Sequence, residues 1–391
     1  MGTRRVCGVN FRLSWALSTA LVTACTTNDV SDSSGQEAIA HSIAGYEEFD
    51  AFARRFRVEQ VIPSLSIAIA HDGEIVFVGN YGFQDHDGEE ATSSETSYLT
   101  ASITKTFTAA TLLAMEADGH ISLDDDFTTF SEWDRRCNWL VRSGIIFGGA
   151  EIDGLSIPAL NCDTSVTLEN VLSHRVNGVP GADFIYNPII FGRLSNYVEE
   201  KTGRPWRAWM REYVIDAGEL DDIAAGWRDA AAARVLTHFA PPFKHVDPAV
   251  DKDGFVPSVL PNTELNASSG IIASASALAR YGAALVQGEI LPQRLLDRMW
   301  NPTAGADGTP EPYGLGWYVE EIDGRKVVWH GGWWPDAYAG MMVIVPDEEL
   351  VFVALGNTDG LHWGNPLNDA DIASSPLMKE FFDLFMDRPT D

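Results

Sequence analysis

Apolar and polar positions alternate at both ends of the chain and follow a helical period in its middle. Leu65–Ala70 and Ile75–Val78 form two predicted strands joined by an Asp-Gly turn. Strand patterns return near the C-terminus over four segments, Gly314–Val319, Lys326–Trp329, Gly340–Val345 and Leu350–Leu355. Strands at both ends with helices between them predict one sheet assembled from both ends of the chain, with helices packed on it.

The middle of the chain changes character at about residue 127. A helical run leads from Ser102 through Met115 to Gly119, and the segment 127–262 is dominated by helical patterns and loops rich in Pro and Gly. A last helix is predicted over Leu377–Met386. We therefore predict a body over 46–391, with sheet parts at about 46–126 and 263–391, an all-helical insertion at about 127–262, and a cleft between them.

Composition supports one sizeable globular body. The chain has 391 residues and is 45% hydrophobic, which is enough to bury a large core. Its formal net charge of -29 predicts a surface that repels nucleic acid, so we expect no nucleic-acid partner.

The first residues have the pattern of an export signal. Arg4, Arg5 and Arg12 precede a short apolar stretch that ends in Val-Thr-Ala-Cys25 and is too short to span a bilayer. The four residues resemble a bacterial lipoprotein box, which predicts a signal peptide over 1–24, lipidation of Cys25 and a flexible tether over 25–45. The expected location is the periplasm, as an outer-membrane lipoprotein; cleavage of a plain secretory signal is the alternative.

The remaining cysteines follow from this assignment. Cys7 would leave with the signal and Cys25 would carry the lipid, so that Cys137 and Cys162 remain in a compartment that permits disulfides. A bridge between them is one reading, and two buried thiols are the other.

Ser102 and Lys105 form the single Ser-x-x-Lys of the chain, at the start of the helical run. Residues three apart on a helix share a face, so the amine of Lys105 can reach the hydroxyl of Ser102. A serine hydroxyl needs such a base to act as a nucleophile at neutral pH. The alternative is a serine near a helix start and a solvated lysine.

Further motifs follow in order along the chain, and together they carry a resemblance. They are Thr100-Ala-Ser-Ile-Thr-Lys105, Gly119-His-Ile-Ser-Leu-Asp-Asp125, Val166-Thr-Leu-Glu-Asn-Val-Leu-Ser-His174, Phe184-Ile-Tyr186, Thr202-Gly203, Tyr313-Gly-Leu-Gly-Trp317 and His330-Gly-Gly332. This series resembles the serine β-lactamase and penicillin-binding-protein superfamily, in its branch of class C β-lactamases, D,D-peptidases and family VIII esterases. The resemblance implies an α+β fold, an α/β sandwich with an antiparallel sheet, and an active site in the cleft.

The resemblance also implies roles for individual residues. Ser102 would be the acylated nucleophile, Lys105 a base kept partly neutral by desolvation, and Tyr186 a proton relay. His330 would orient a polar group of the substrate or tune Tyr186, and the backbone N–H groups of Ser102 and Trp333 would form the oxyanion hole.

His330-Gly331-Gly332 would be the third motif of the family's active site, on a strand that lines the cleft, and substrate contacts are predicted around it. Gly331 and Gly332 would let a substrate approach the strand, and Trp334 beside Trp333 suggests an apolar wall for an aryl or acyl group. Core packing is the alternative reading of these aromatic residues.

Two positions depart from the pattern of the family. Pro188 stands where the family commonly has asparagine, and Asn187 is the candidate substitute for that substrate contact. His330 stands where many β-lactamases and D,D-peptidases have lysine, the usual partner of a substrate carboxylate. Both changes favour an esterase or amidase that acts on a small-molecule or peptide ester or amide.

Two alternatives remain. One is a D,D-peptidase or β-lactamase that acts on peptidoglycan peptides or β-lactams, and the other is a noncatalytic binding protein of the cell envelope with a degenerate site. No zinc spacing or phosphate-binding glycine loop occurs, and Asp251-Lys-Asp253 lacks the remaining ligands of a calcium loop, so we predict neither metal nor cofactor.

Overall fold

The computed structural model describes residues 45–152, 155–261, 264–365 and 367–386. The described residues form eleven α-helices: α1 Tyr46–Glu59, α2 Thr104–Ala117, α3 Trp133–Arg142, α4 Leu168–Leu172, α5 Pro188–Phe191, α6 Leu194–Thr202, α7 Trp206–Met210, α8 Ala232–Val235, α9 Ala275–Val286, α10 Gln293–Met299 and α11 Pro376–Phe385. They also form twelve strands: β1 Ser64–His71, β2 Glu74–Gly82, β3 Ser97–Leu99, β4 Ala150–Ile152, β5 Leu155–Ile157, β6 Phe243–His245, β7 Phe255–Pro257, β8 Ile272–Ser274, β9 Tyr318–Ile322, β10 Arg325–Trp334, β11 Tyr338–Val345 and β12 Leu350–Gly356.

The main sheet has six strands in the order β2-β1-β12-β11-β10-β9, and every neighbouring pair is antiparallel. Strands from both ends of the chain meet where β1 pairs with β12, with Leu65 opposite Gly356. Asp72 and Gly73 both have positive φ, as the predicted Asp-Gly hairpin requires. The predicted antiparallel sheet built from both chain ends is confirmed.

Helices cover both faces of this sheet. Ile67 and Ile69 of β1 point into a core shared with α1 and α11, whereas Ala68 and Ala70 point into the larger core that holds α2 and α9. This alternation follows from the two-residue period of a strand. Because both faces are buried, the central strands read as nearly continuous apolar runs.

Two sequence-based predictions need correction. The segment 127–262 is not all-helical, because it also holds the pairs β4–β5 and β6–β7; strands of three residues are too short to show an alternating pattern. The strand predicted over Gly314–Val319 begins only at Tyr318. Gly316 has a φ of 74°, and a Cβ there would lie 2.8 Å from the carbonyl oxygen of Lys105, so this stretch is a close turn against α2.

Cys137 of α3 and Cys162 are joined by a disulfide, with Cα atoms 5.8 Å apart. Cys7, Cys25, the predicted signal peptide over 1–24 and residues 25–44 of the tether predicted over 25–45 lie outside the described residues. Within the part of the chain that is described, none of the helices is both long enough and apolar enough to cross a bilayer.

The disulfide is expected to contribute about 3 kcal/mol to the free energy of unfolding, because it closes a loop of sequence separation 25 and so restricts the unfolded chain. Unfolding of the double variant Cys137→Ala/Cys162→Ala in denaturant should show this loss. Reduction of the wild type should reproduce it, and equal midpoints for the oxidised and reduced protein would contradict the expectation.

Candidate active site

Ser102 lies in a single 3₁₀ turn, Ala101–Ile103, directly before α2. Ala101 has a φ of 45°, an uncommon value for a residue with a side chain, and Lys105 lies in the first turn of the helix that follows. The Nζ atom of Lys105 donates a hydrogen bond of 2.8 Å to Ser102 Oγ and one of 3.3 Å to the carbonyl oxygen of Ser268. The predicted nucleophile and base are therefore in contact.

Buried threonines hold α2 in the position that creates this contact. Thr104 accepts from the backbone N–H of Ile271, and Thr108 donates to the carbonyl oxygen of Ala267. Both bonds join α2 to the segment before β8, which carries Ser268. The second acceptor of Lys105 is thus set by the packing of these two elements.

Burial disfavours the charged form of the Lys105 amine. Its side chain is fully buried, and this desolvation lowers the pKa of the amine well below its usual value of 10.5. The rings of Tyr186 and Phe191 lie 5.0 and 5.4 Å from Nζ, measured to their centroids. A neutral amine with a free lone pair can accept the proton of Ser102.

Tyr186 completes the group around Ser102. Its hydroxyl is hydrogen-bonded to Ser102, and burial raises the pKa of the phenol above its usual value of 10. Tyr186 therefore keeps its proton in the resting protein. Because the pKa of Lys105 is lowered and that of Tyr186 is raised, Lys105 is the base, and Tyr186 is a neutral hydrogen-bonding partner and relay.

His330 lies on β10 behind this group and is almost completely buried. Its Nδ1 atom lies 2.7 Å from the carbonyl oxygen of Gly331, and its Nε2 atom lies 3.0 Å from the hydroxyl of Tyr313. A carbonyl oxygen can only accept, so Nδ1 carries the proton and Nε2 accepts from Tyr313. Burial is the largest cause that lowers the pKa of His330 to about 3, so the ring is neutral at physiological pH.

A cavity of about 330 Å³ opens above these residues. The cavity is lined by Ser102, Tyr186 and the end of β10 from Gly331 to Trp334. The residues with the two proposed oxyanion N–H groups, Ser102 and Trp333, therefore border the same space. Gly331, Gly332 and Trp334, which were predicted to contact substrate, also line it.

Gly332→Ala is expected to destabilise the protein by about 1 to 3 kcal/mol, because a Cβ there would overlap the carbonyl oxygen of Thr100. The resulting shift between β10 and the turn that holds Ser102 should also slow acylation. Gly331→Ala is the matched control for stability, since its Cβ would meet nothing closer than 3.8 Å. Equal melting temperatures for the two variants would contradict this packing argument.

The model of the β-lactamase family matches residues 49–375 of this chain. The chain belongs to the β-lactamase family. Among curated relatives, the D-aminopeptidase of Brucella ovis is 26% identical over 285 residues, which are 69% of this chain and 52% of the relative. The chain thus spans about half the length of the curated relatives that head the comparison.

Solved structures show the same β-lactamase-family fold. The octameric penicillin-binding-protein homologue from Pyrococcus abyssi has a TM-score of 0.65 and 19% identity, over 80% of this chain and 74% of that one. The D-amino acid amidase of Ochrobactrum anthropi has a TM-score of 0.59 and 16% identity, over 79% of this chain and 91% of that one. The fold predicted from the β-lactamase-like motifs is confirmed.

Asn187 does not face the β-lactamase-family cleft, contrary to the prediction. Its side chain is fully buried; it donates to Asn177 and to the carbonyl oxygen of Phe147, and it caps α5 by accepting from the N–H of Ile190. The adjacent Pro188 lines the cavity instead. The side-chain amide common in the family therefore has no substitute at this point of the cleft.

His330 does not fit the first of its two predicted roles, which was to orient a polar group of the substrate. It does not line the cavity, and both of its ring nitrogens have partners in the protein. Its ring centroid lies 6.1 Å from that of Tyr186, so the second role, an influence on Tyr186, is the one that the geometry allows.

Residues without a predicted role also belong to the site. His174 accepts the N–H of Asn187 at Nδ1, and its ring centroid lies 4.3 Å from that of Tyr186. Tyr318 and His362 line the cavity. The motifs of the resemblance include His174 and Tyr313, whereas His362 belongs to none of them.

Proposed function

We propose that this protein is a serine hydrolase that cleaves an ester or amide through an acyl-enzyme on Ser102. The observation that carries the proposal is the hydrogen bond of 2.8 Å between Ser102 Oγ and the fully buried amine of Lys105, whose pKa burial lowers. A desolvated lysine beside a serine supplies what a weak nucleophile lacks, namely a base at neutral pH.

The reaction follows from the positions of these groups. Neutral Lys105 takes the proton of Ser102 as Oγ attacks the substrate carbonyl, and the N–H groups of Ser102 and Trp333 bind the oxyanion. When the tetrahedral intermediate collapses, the alcohol or amine leaves with a proton supplied through Tyr186 and Lys105. Water then attacks the acyl-enzyme and gives a proton to the same pair, and Lys105 returns that proton to Ser102 Oγ as the bond to the acyl group breaks and the acid leaves.

Ester or amide hydrolysis is favoured over a D,D-peptidase or β-lactamase activity by the state of the third motif. His330 is neutral and buried, so the His330-Gly-Gly332 motif does not offer the cation that a substrate carboxylate needs. The names of the relatives, a D-aminopeptidase and a D-amino acid amidase, agree with an amide substrate.

Labelling with a fluorophosphonate tests the proposal. We expect the mature protein to gain the mass of one phosphonyl group on the peptide that contains Ser102, and Ser102→Ala to gain none. The folded protein should also hydrolyse p-nitrophenyl acetate. Folded protein that is neither labelled nor active on esters would overturn the proposal in favour of a noncatalytic binding role.

We also propose that the protein is exported to the periplasm and anchored there by a lipid on Cys25. The lipoprotein-like Val-Thr-Ala-Cys25 segment supports this, and the disulfide between Cys137 and Cys162 suits an oxidising compartment.

Expression in a bacterium with labelled palmitate tests the anchor. The wild type should incorporate label and sediment with membranes, and Cys25→Ser should do neither. Cys7→Ser is the matched control and should retain the label. A wild type without label would overturn the proposed anchor and leave the hydrolase proposal untouched.

A further inference from the structure

Two separate parts of the chain form one wall of the cavity. The end of β10 contributes Trp333 and Trp334, and the loop between β12 and α11 contributes His362 and Trp363. We name these four residues the aromatic wall. Trp333 remains 37% exposed, and its ring stacks on that of His362 at 4.2 Å and 12°. A large ring that is fixed in place yet open to a cavity offers its free surface to a ligand.

The lining of the cavity is uncharged over the residues that the structure describes. Among the described residues that line it, none is aspartate, glutamate, lysine or arginine. His362 also lines it, and burial lowers the pKa of that ring below 6.5, so the ring is neutral at physiological pH. Pro188 adds an apolar ring where the family commonly has an amide. A carboxylate that entered this space would lose its hydration without gaining a counter-ion.

The size of the cavity limits what it can hold. Its volume is about 330 Å³. An apolar cavity of roughly 150 Å³ accommodates benzene. The space above Ser102 therefore takes one aryl group together with the scissile ester or amide.

We infer that the aromatic wall selects substrates that place an uncharged aryl group against Trp333 and Trp363, and that the cavity rejects a carboxylate at the same place. This inference rests on the proposed hydrolysis at Ser102 and names its substrate class. This preference would distinguish the protein from hydrolases that recognise the carboxylate of a β-lactam or of a cell-wall peptide.

The first test compares p-nitrophenyl esters that share a leaving group. The phenylacetate should exceed the acetate in kcat/KM by about tenfold or more, because it buries one ring against the wall. The glutarate monoester should fall at least about tenfold below the ester of glutaric acid monoamide, which differs only in lacking the charge. Equal values within both pairs would overturn the inference.

The second test adds the missing cation. Asn365 lines the cavity, and its side chain donates to the carbonyl oxygen of Asp369. Asn365→Lys should raise the ratio of glutarate to monoamide turnover by about tenfold, and added salt should reduce this gain. Asn365→Met, of similar length and without charge, should leave the ratio as in the wild type. The same ratio for both variants would contradict an electrostatic origin.

These outcomes are separate from those of the hydrolase proposal. Loss of fluorophosphonate labelling would remove the proposed function itself, whereas a labelled enzyme without these preferences would remove only the inferred substrate class. If no ester turns over, the rates at which phenyl-bearing and carboxylate-bearing fluorophosphonates modify Ser102 give the same comparison. Faster modification by the phenyl-bearing probe is then expected, and equal rates would overturn the inference.

Discussion

Lys105→Met is expected to lower kcat/KM by about a thousandfold or more and, at the same time, to raise the melting temperature. The loss of rate follows because the variant has no base within reach of Ser102, and activated nucleophiles depend on such a base. The gain in stability follows because methionine has a similar length and no amine to desolvate. Stabilising substitutions of this size commonly add about 0.5 to 2 kcal/mol to the free energy of unfolding.

The lowered pKa of Lys105 also predicts how the stability of the protein changes with pH. Burial places the pKa of Lys105 in the folded protein below the usual value of 10.5. Between these two values the unfolded chain binds more protons than the folded one, so stability rises with pH across that window. Below the window Lys105 costs stability in full, and Lys105→Met should remove both the cost and this part of the pH dependence.

Lys201→Met is the matched control for Lys105→Met. Lys201 is half-exposed and lies 3.7 Å from Asp125, an arrangement that contributes little to stability. The same substitution there should change neither activity nor melting temperature appreciably. An active Lys105→Met variant, or one that melts at a lower temperature than the wild type, would contradict the role assigned to Lys105.

Local spacing was enough to predict the contact between Ser102 and Lys105. Positions three apart at a helix start fall on one face in any protein, so the hydrogen bond of 2.8 Å needed no tertiary information. The strands β1 and β12 were predictable for a similar reason, because their apolar runs exceed the length at which chance patterns are common.

Asn187 shows where local reasoning failed. An asparagine directly before a proline is a usual start for a helix, and the hydrogen bond from the N–H of Ile190 is such a cap. The resemblance to the family had instead predicted that Asn187 contacts the substrate. The helical cap was visible in the sequence, but only the packing against Asn177 and Phe147 shows that the side chain is buried away from the cleft.

The aromatic wall could not be predicted as a unit. Trp333 and Trp334 follow the third motif directly, whereas His362 and Trp363 lie in a loop without a regular pattern beyond the next two strands. Their contact depends on how that loop returns to the end of β10. The charge-free lining is likewise a property of the assembled cavity, and a chain with a net charge of -29 gives no sign of it.

Tyr186→Phe is expected to lower kcat by roughly one hundred to one thousandfold without moving the acidic limb of the pH–rate profile. The hydroxyl bonded to Ser102 is lost, and with it the relay to the leaving group. Burial raises the pKa of Tyr186, so its proton does not leave at the pH values where activity appears. The rise of kcat/KM with pH belongs to Lys105, which must lose its proton before it can accept that of Ser102.

The pH–rate profile therefore distinguishes the role of Lys105 from that of Tyr186. In Tyr186→Phe the limb should keep its midpoint at a lower plateau, and in Lys105→Met it should disappear. Tyr213→Phe is the matched control, since that hydroxyl donates to Asp118 away from the cleft and its loss should leave the profile unchanged. The acidic limb is produced by the ionisation of the base, so it disappears when that residue is replaced. A limb that vanished in Tyr186→Phe and persisted in Lys105→Met would therefore reverse the assignment and make the phenol the base.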